Sequence, residues 1–187
     1  GGHSGGGGGG DDDDDDRPER PDEGDPSITG VSGWLNTEDH DAFLSGYSDG
    51  SFRPDANMTR AEVAQMFYGL LLDQDVTITV RFADVSDDAW YAKAVNTLAS
   101  LGLVSGYSDG TFQPNRTITR AEFTAIAMGF AEPVDGEARA FRDVRPGAWY
   151  YDAVTGAAGY GWISGYSDGT FRPEKTITRA EVTAITN

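Results

Sequence analysis

The chain has 187 residues, with 31 acidic against 14 basic side chains, no cysteine and a formal charge of −17 at pH 7. Charge of that sign is repelled by phosphate backbones, which argues against a nucleic-acid partner. Without cysteine there are no disulfide frameworks, zinc–thiolate clusters or thiol catalysis, and no apolar run approaches the roughly 20 residues of a membrane span.

The N-terminal stretch is compositional. Eight of the first ten residues are glycine, and Asp11 to Asp16 follow without interruption. Such a tract cannot bury enough apolar surface to offset its ordering entropy, so residues 1–29 are expected to form a disordered Gly/Asp-rich linker. The chain opens with neither an initiating Met nor a signal-like segment, and we read it as a piece of a longer exported protein with its cargo upstream.

The remainder, about 160 residues, is organised by internal repetition. Gly46-Tyr47-Ser48-Asp49-Gly50 recurs at Gly106–Gly110 and at Gly165–Gly169, each copy followed by Phe-x-Pro and then Thr-Arg-Ala-Glu. Between Val104–Glu122 and Ile163–Glu181, 15 of 19 positions are identical. We divide the chain into repeat 1 (30–73), repeat 2 (81–131) and repeat 3 (141–187). Repeats 2 and 3 share a leading block, Phe82-x-Asp84-Val85 to Trp90-Tyr91 and Phe141-x-Asp143-Val144 to Trp149-Tyr150. Repeat 1 has Trp34-Leu35-Asn36-Thr37-Glu38-Asp39-His40 instead, which predicts a shortened or differently built first element.

Each full repeat reads as helix, ordered loop, helix. Tyr91, Ala94, Val95, Leu98 and Leu101 form one stripe of a 3.6-residue period, and Gly102 and Gly161 are placed to close the first helices in the left-handed conformation. Thr59 and Glu62, Thr119 and Glu122, and Thr178 and Glu181 have capping-box spacing and are expected to start the second helices. In repeat 3 only Val182 and Ile185 continue the stripe, so its last helix looks cut short. The intervening loops have turn chemistry, and their Asp49, Asp109 and Asp168 are placed to brace backbone amides, with ligand contact as the second reading of the same three residues. Short helix pairs cannot bury their own apolar faces, so the copies must pack on each other. With three copies, a closed pseudo-threefold bundle leaves no uncapped end.

The string Gly-Tyr-Ser-Asp-Gly-Thr-Phe-x-Pro-x-x-x-Ile-Thr-Arg-Ala-Glu, preceded by Phe-x-Asp-Val and Trp-Tyr, resembles the S-layer homology (SLH) module of bacterial cell-surface proteins. The opening of repeat 1 is similar to the atypical first repeat of C-terminal SLH triplets in Firmicutes surface proteins. Ser48, Ser108 and Ser167 stand where many members have Pro. The resemblance implies an all-α, three-pronged helical bundle in the cell wall or S-layer. It also implies a non-catalytic anchoring role: grooves between repeats bind a secondary cell-wall polysaccharide linked to peptidoglycan, often through a pyruvylated N-acetylmannosamine. By the matching positions, Arg60, Arg120 and Arg179 are then the principal ligand residues.

Elementary physics is compatible with that role. A helix start offers amides and partial positive charge to a carboxylate, an Arg there adds a bidentate contact, and Trp90, Trp149, Tyr47, Tyr107 and Tyr166 are candidate sugar-facing rings. Two other readings stand beside it. The arginines can be structural ion-pair partners in a protein–protein assembly module, or the spindle can be a scaffold without a ligand. The loop acids are too few and wrongly spaced for an EF-hand. No metal, cofactor or catalytic constellation is expected.

Overall fold

A computed structural model describes residues 33–36, 44, 46–131 and 140–186. The Gly/Asp tract and the Thr37–His40 opening of repeat 1, on which two of the expectations above fall, lie outside the described residues. Within them the architecture is helical: α1 (Arg60–Leu70), α2 (Ala92–Ser100), α3 (Arg120–Met128), α4 (Tyr151–Gly159) and α5 (Arg179–Thr186), with no strand among the described residues. None of these helices is long and apolar enough to cross a membrane.

The Thr-Arg-Ala-Glu motifs start helices as their spacing predicts. Thr59, in extended conformation, accepts the Glu62 amide on its hydroxyl at 3.2 Å, and Glu62 Oε2 accepts the Thr59 amide at 2.8 Å. Thr119 with Glu122, and Thr178 with Glu181, repeat the arrangement. The reciprocal bonds satisfy two amides that a helix start otherwise leaves without partners.

The leading helices begin differently. Tyr91 and Tyr150 precede α2 and α4 without a side-chain cap, and Trp90 and Trp149 stand outside them, 63% and 65% exposed. At the far ends Gly102 and Gly161 take φ of 76° and 79°, and the Leu103 and Trp162 amides reach back to the carbonyls of Leu98 and Ala157 at 2.9 Å. This is the left-handed closure expected of those glycines.

Helices pair across repeat boundaries: α1 packs on α2, and α3 on α4. Buried Val63, Met66 and Phe67 of α1 join Ala94, Val95 and Leu98 of α2 in one core, where Phe67 stacks on Phe130 at 5.1 Å. A second cluster gathers Phe141, Val154, Ile163 and Phe171. The eight-residue α5 contributes fully buried Val182, and Ile185 packs partly against both clusters.

The repeats close into a ring. Met58 donates its amide to the Ile177 carbonyl, Ile177 to Ile118, and Ile118 to Met58, at 3.1, 3.1 and 2.9 Å. All three side chains are fully buried. This triangle of backbone bonds marks the pseudo-threefold axis, and it forms only when all three repeats are in place. The bundle is therefore all-α and closed, as the repeat count predicts.

Candidate functional site

Each ring contact is also a junction between one repeat's second helix and the next repeat's loop. We number them first (repeats 1 and 2), second (2 and 3) and third (3 and 1). At the first, the Arg60 and Ala61 amides donate to the Arg116 and Pro114 carbonyls. At the second, Arg120 and Ala121 donate to Lys175 and Pro173; at the third, Arg179 and Ala180 donate to Ala56 and Pro54. Expecting these amides to face a ligand carboxylate is therefore incorrect. The neighbouring loop's carbonyls occupy them, because a buried amide needs an acceptor and the closed ring supplies one.

The motif arginines lie inside the same junctions, 8%, 6% and 4% exposed for Arg60, Arg120 and Arg179. Arg60 Nε donates to the Phe112 carbonyl at 2.9 Å and Nη2 to the Ser105 carbonyl at 2.7 Å. Its guanidinium lies over Phe112 and Tyr107, 4.5 and 5.2 Å from the ring centroids. Arg120 donates to the Phe171 carbonyl over Phe171 and Tyr166, and Arg179 to the Phe52 carbonyl over Phe52 and Tyr47. Aromatic faces and carbonyl oxygens replace the water each cation loses on burial. That burial still pushes the Arg60 guanidinium pKa down, against the opposing pull of Tyr107 and Glu122.

Two carboxylates complete the first two junctions. Glu122 Oε1 lies 3.7 Å from Arg60 and 2.8 Å from Arg116. Glu181 Oε1 lies 3.1 Å from Arg120, and it accepts from Lys175 Nζ at 2.9 Å and from the Tyr166 hydroxyl at 2.8 Å. Burial pushes the Glu181 carboxyl up, but the bonds from Lys175, Thr178 and Tyr166 and the Arg120 charge outweigh it and hold the pKa at about 2. Glu122 and Glu181 thus each close a helix start and pair with the preceding repeat's arginine.

The loop aspartates brace their own turns. Asp49, Asp109 and Asp168 each accept the amide two residues on, at 2.9, 3.0 and 3.0 Å. Asp49 and Asp168 also pair with Arg53 and Arg172. Hydrogen bonds from Ser51 and Arg53, and from Thr170 and Arg172, draw both carboxyls down to about 2. Arg53 and Arg172 then cover the Tyr47 and Tyr166 rings at 4.1 and 4.0 Å. The corresponding residue in repeat 2 is Gln113, so Tyr107 has no such cover from that position.

The structure adds participants that the motif alone did not single out. Arg53, Gln113 and Arg172 have φ of 51°, 57° and 58°, a conformation that L-residues with side chains adopt rarely. For the last two the cause is visible. Asp84 accepts the Phe112 and Gln113 amides at 2.7 Å each, and Asp143 accepts those of Phe171 and Arg172. The Phe-x-Asp-Val block thus ties each leading segment to a loop 28 residues later. Arg116 and Lys175 were also missed. Their signal was a conservative Arg/Lys difference within a segment otherwise nearly identical.

The SLH family model, described as the S-layer homology domain, matches residues 41–64, 81–124 and 140–183. Cell surface glycoprotein 1 of Acetivibrio thermocellus is 38% identical over 178 residues, covering 87% of this chain and 8% of the relative. The cellulosome-anchoring protein of the same organism is 36% identical over 179 residues, covering 90% and 38%. The surface-layer 125 kDa protein of Lysinibacillus sphaericus is 36% identical over 112 residues, covering 59% and 9%. The chain therefore spans well under half the length of each of these relatives. Three matches to one family model, each on a repeat that contributes to the closed ring, establish that this chain belongs to the S-layer homology domain family.

Proposed function

We propose that this chain is a non-catalytic anchoring module that holds a larger exported protein on the bacterial cell wall or in its surface layer. Its ligand in this reading is a secondary cell-wall polysaccharide with acidic residues, of which a pyruvylated N-acetylmannosamine is the best chemical fit. The cargo is the polypeptide to which the module is joined, and the Gly/Asp tract spaces the two. The observation that carries the reading is the recurrence, at all three repeat junctions, of a guanidinium set over aromatic rings. A sugar carboxylate is attracted by the positive charge, and sugar C–H faces are matched by rings such as Trp90, Trp149 and the loop tyrosines. Several junctions on one module add avidity when they engage one polymer together.

A second reading is favoured by a specific observation, the burial of Arg60, Arg120 and Arg179 against backbone carbonyls. In that reading the three arginines are structural and the spindle serves protein–protein assembly of a surface layer. Sedimentation with purified wall sacculi separates the two. The anchoring reading expects the module to pellet with native sacculi and to stay in solution once the secondary polymer is stripped. Equal pelleting before and after stripping rejects polymer binding.

A further inference from the structure

The segment joining α1 to α2 carries a symmetry that the fold does not use. It reads Asp75-Val76-Thr77-Ile78-Thr79-Val80-Arg81, the same apolar–hydroxyl alternation in both directions from Ile78, with opposite charges at its two ends. Exposure alternates along it: Val76, Ile78 and Val80 are half-buried, and Asp75, Thr77, Thr79 and Arg81 are exposed. That is the period of a strand with one face on the body and one in water, and Val, Ile and Thr favour strands. Yet it pairs with no strand. Among the described residues, the backbone groups of Val76, Thr77 and Ile78 have no hydrogen-bond partner. The Thr79 and Val80 amides converge on one acceptor, the Ser100 hydroxyl at the end of α2, at 2.9 and 3.1 Å.

An unpaired edge of this kind is a template for another chain, and proteins usually blunt it with Lys, Pro or a bulge. Residues 75–81 contain no Lys, Pro or Gly. The segment leading into repeat 3, Glu132-Pro133-Val134-Asp135-Gly136, contains Pro and Gly and lacks the alternation.

A second copy of the chain is the partner that the symmetry fits. Laid antiparallel with the two Ile78 residues opposed, Asp75 faces the partner's Arg81 and Arg81 faces the partner's Asp75. On the same outer face Thr77 meets the partner's Thr79, and on the inner face Val76 meets the partner's Val80. Opposite charges and paired hydroxyls directly across a ladder are favourable. A parallel pair in the same register sets Asp75 beside Asp75 and Arg81 beside Arg81, which like-charge repulsion opposes. The end charges are accessible. Arg81 pairs with Asp87, but their side chains are 63% and 82% exposed, so water already screens that contact. Asp75 is in no salt bridge among the described residues, although the Lys93 charge on α2 acts on it. A ladder needs adjacent amides to point to opposite edges. On pairing, therefore, one of the two amides at Ser100 exchanges that hydroxyl for a partner carbonyl.

We infer that residues 75–81 are a self-recognition segment, through which two copies of the module pair antiparallel about a two-fold axis at Ile78. Each copy presents the same patch, so the contact closes at two. With seven residues a side it is small and weak, and it holds whatever the junctions between repeats bind.

The test is sedimentation of the full chain from about 10 μM to about 1 mM, the range that suits a small interface, in about 0.15 M salt to screen the net charge. The unaltered chain is expected to shift from monomer to dimer across that range. Asp75→Arg and Arg81→Asp each turn two attractive pairs into repulsive ones, and each should dimerise at least about tenfold more weakly. An equimolar mixture of the two single variants restores both pairs and should dimerise again, as should the double variant Asp75→Arg/Arg81→Asp. Misfolding cannot imitate either recovery. A chain that stays monomeric throughout overturns the inference, as do single variants that dimerise undiminished or growth beyond the dimer. Single variants that weaken without recovery in the mixture or the double variant overturn the antiparallel register, and the inference with it.

Discussion

Arg60→Ala tests whether the buried arginines hold the ring together. The substitution removes two charge-assisted bonds, to the Phe112 and Ser105 carbonyls, and the cation's contact with two rings. Each such bond contributes about 1.5–3 kcal/mol, and a partly desolvated cation–π contact about 0.5–2 kcal/mol. Because these groups share one neighbourhood the terms do not add, and we expect a net loss of about 3–5 kcal/mol. For a domain of this size that lowers the melting temperature by roughly 6–20 °C. Arg60→Lys keeps the charge but cannot span both carbonyls, so it is expected to fall between Ala and the unaltered chain. The assay is thermal and urea unfolding followed by circular dichroism. A melting temperature within about 2 °C of the parent for Arg60→Ala, together with lost wall binding, would refute the structural role and make Arg60 a ligand residue alone.

Other expectations follow from particular contacts. Gly165 has φ of 70°, and a Cβ there would lie 2.4 Å from Phe141 and 2.8 Å from the Thr170 carbonyl. Gly165→Ala should therefore cost more than about 2 kcal/mol in urea unfolding, whereas Gly161→Ala, strained in φ but with open space around it, should cost only about 1–2 kcal/mol. Thr119→Ala removes a cap and should lower stability by about 1 kcal/mol, with Thr119→Ser restoring most of it. Glu181 has its folded pKa held at about 2, below the ordinary 4.5. The stability it contributes is present above pH 4.5 and is lost as the pH falls from there toward 2. After solvent screening this is on the order of 1 kcal/mol, and unfolding of Glu181→Gln should show a correspondingly flatter slope in that window.

The parts of this fold that local chemistry decides were readable in the sequence. Thr59-x-x-Glu62 and its two copies specify helix starts within four residues, and Gly102 and Gly161 specify helix ends at one. The three copies also predicted closure, since an open stack would leave apolar faces uncovered. Contacts between residues about 50 apart were not readable in the same way. Nothing in Thr-Arg-Ala-Glu reveals that the Arg60 guanidinium binds the Phe112 carbonyl or that the helix amides are filled by Arg116 and Pro114. Nor did the pairing of Asp84 with the Phe112 and Gln113 amides have a local signature, although the shared Phe-x-Asp-Val block marked it as a part with a task. The tryptophans show the same limit. Periodicity cannot tell a ring that opens a helix in the core from one that stands outside it, and Trp90 and Trp149 stand outside.

The central claim is that wall polymer is held at the junctions between repeats. Its most direct test is nuclear magnetic resonance of the isotope-labelled chain, titrated with polymer released from sacculi. The account predicts shifts concentrated at the Arg60, Arg120 and Arg179 side chains and the amides flanking Tyr47, Tyr107 and Tyr166. Shifts spread evenly over the surface, or confined to residues 1–29, would contradict it.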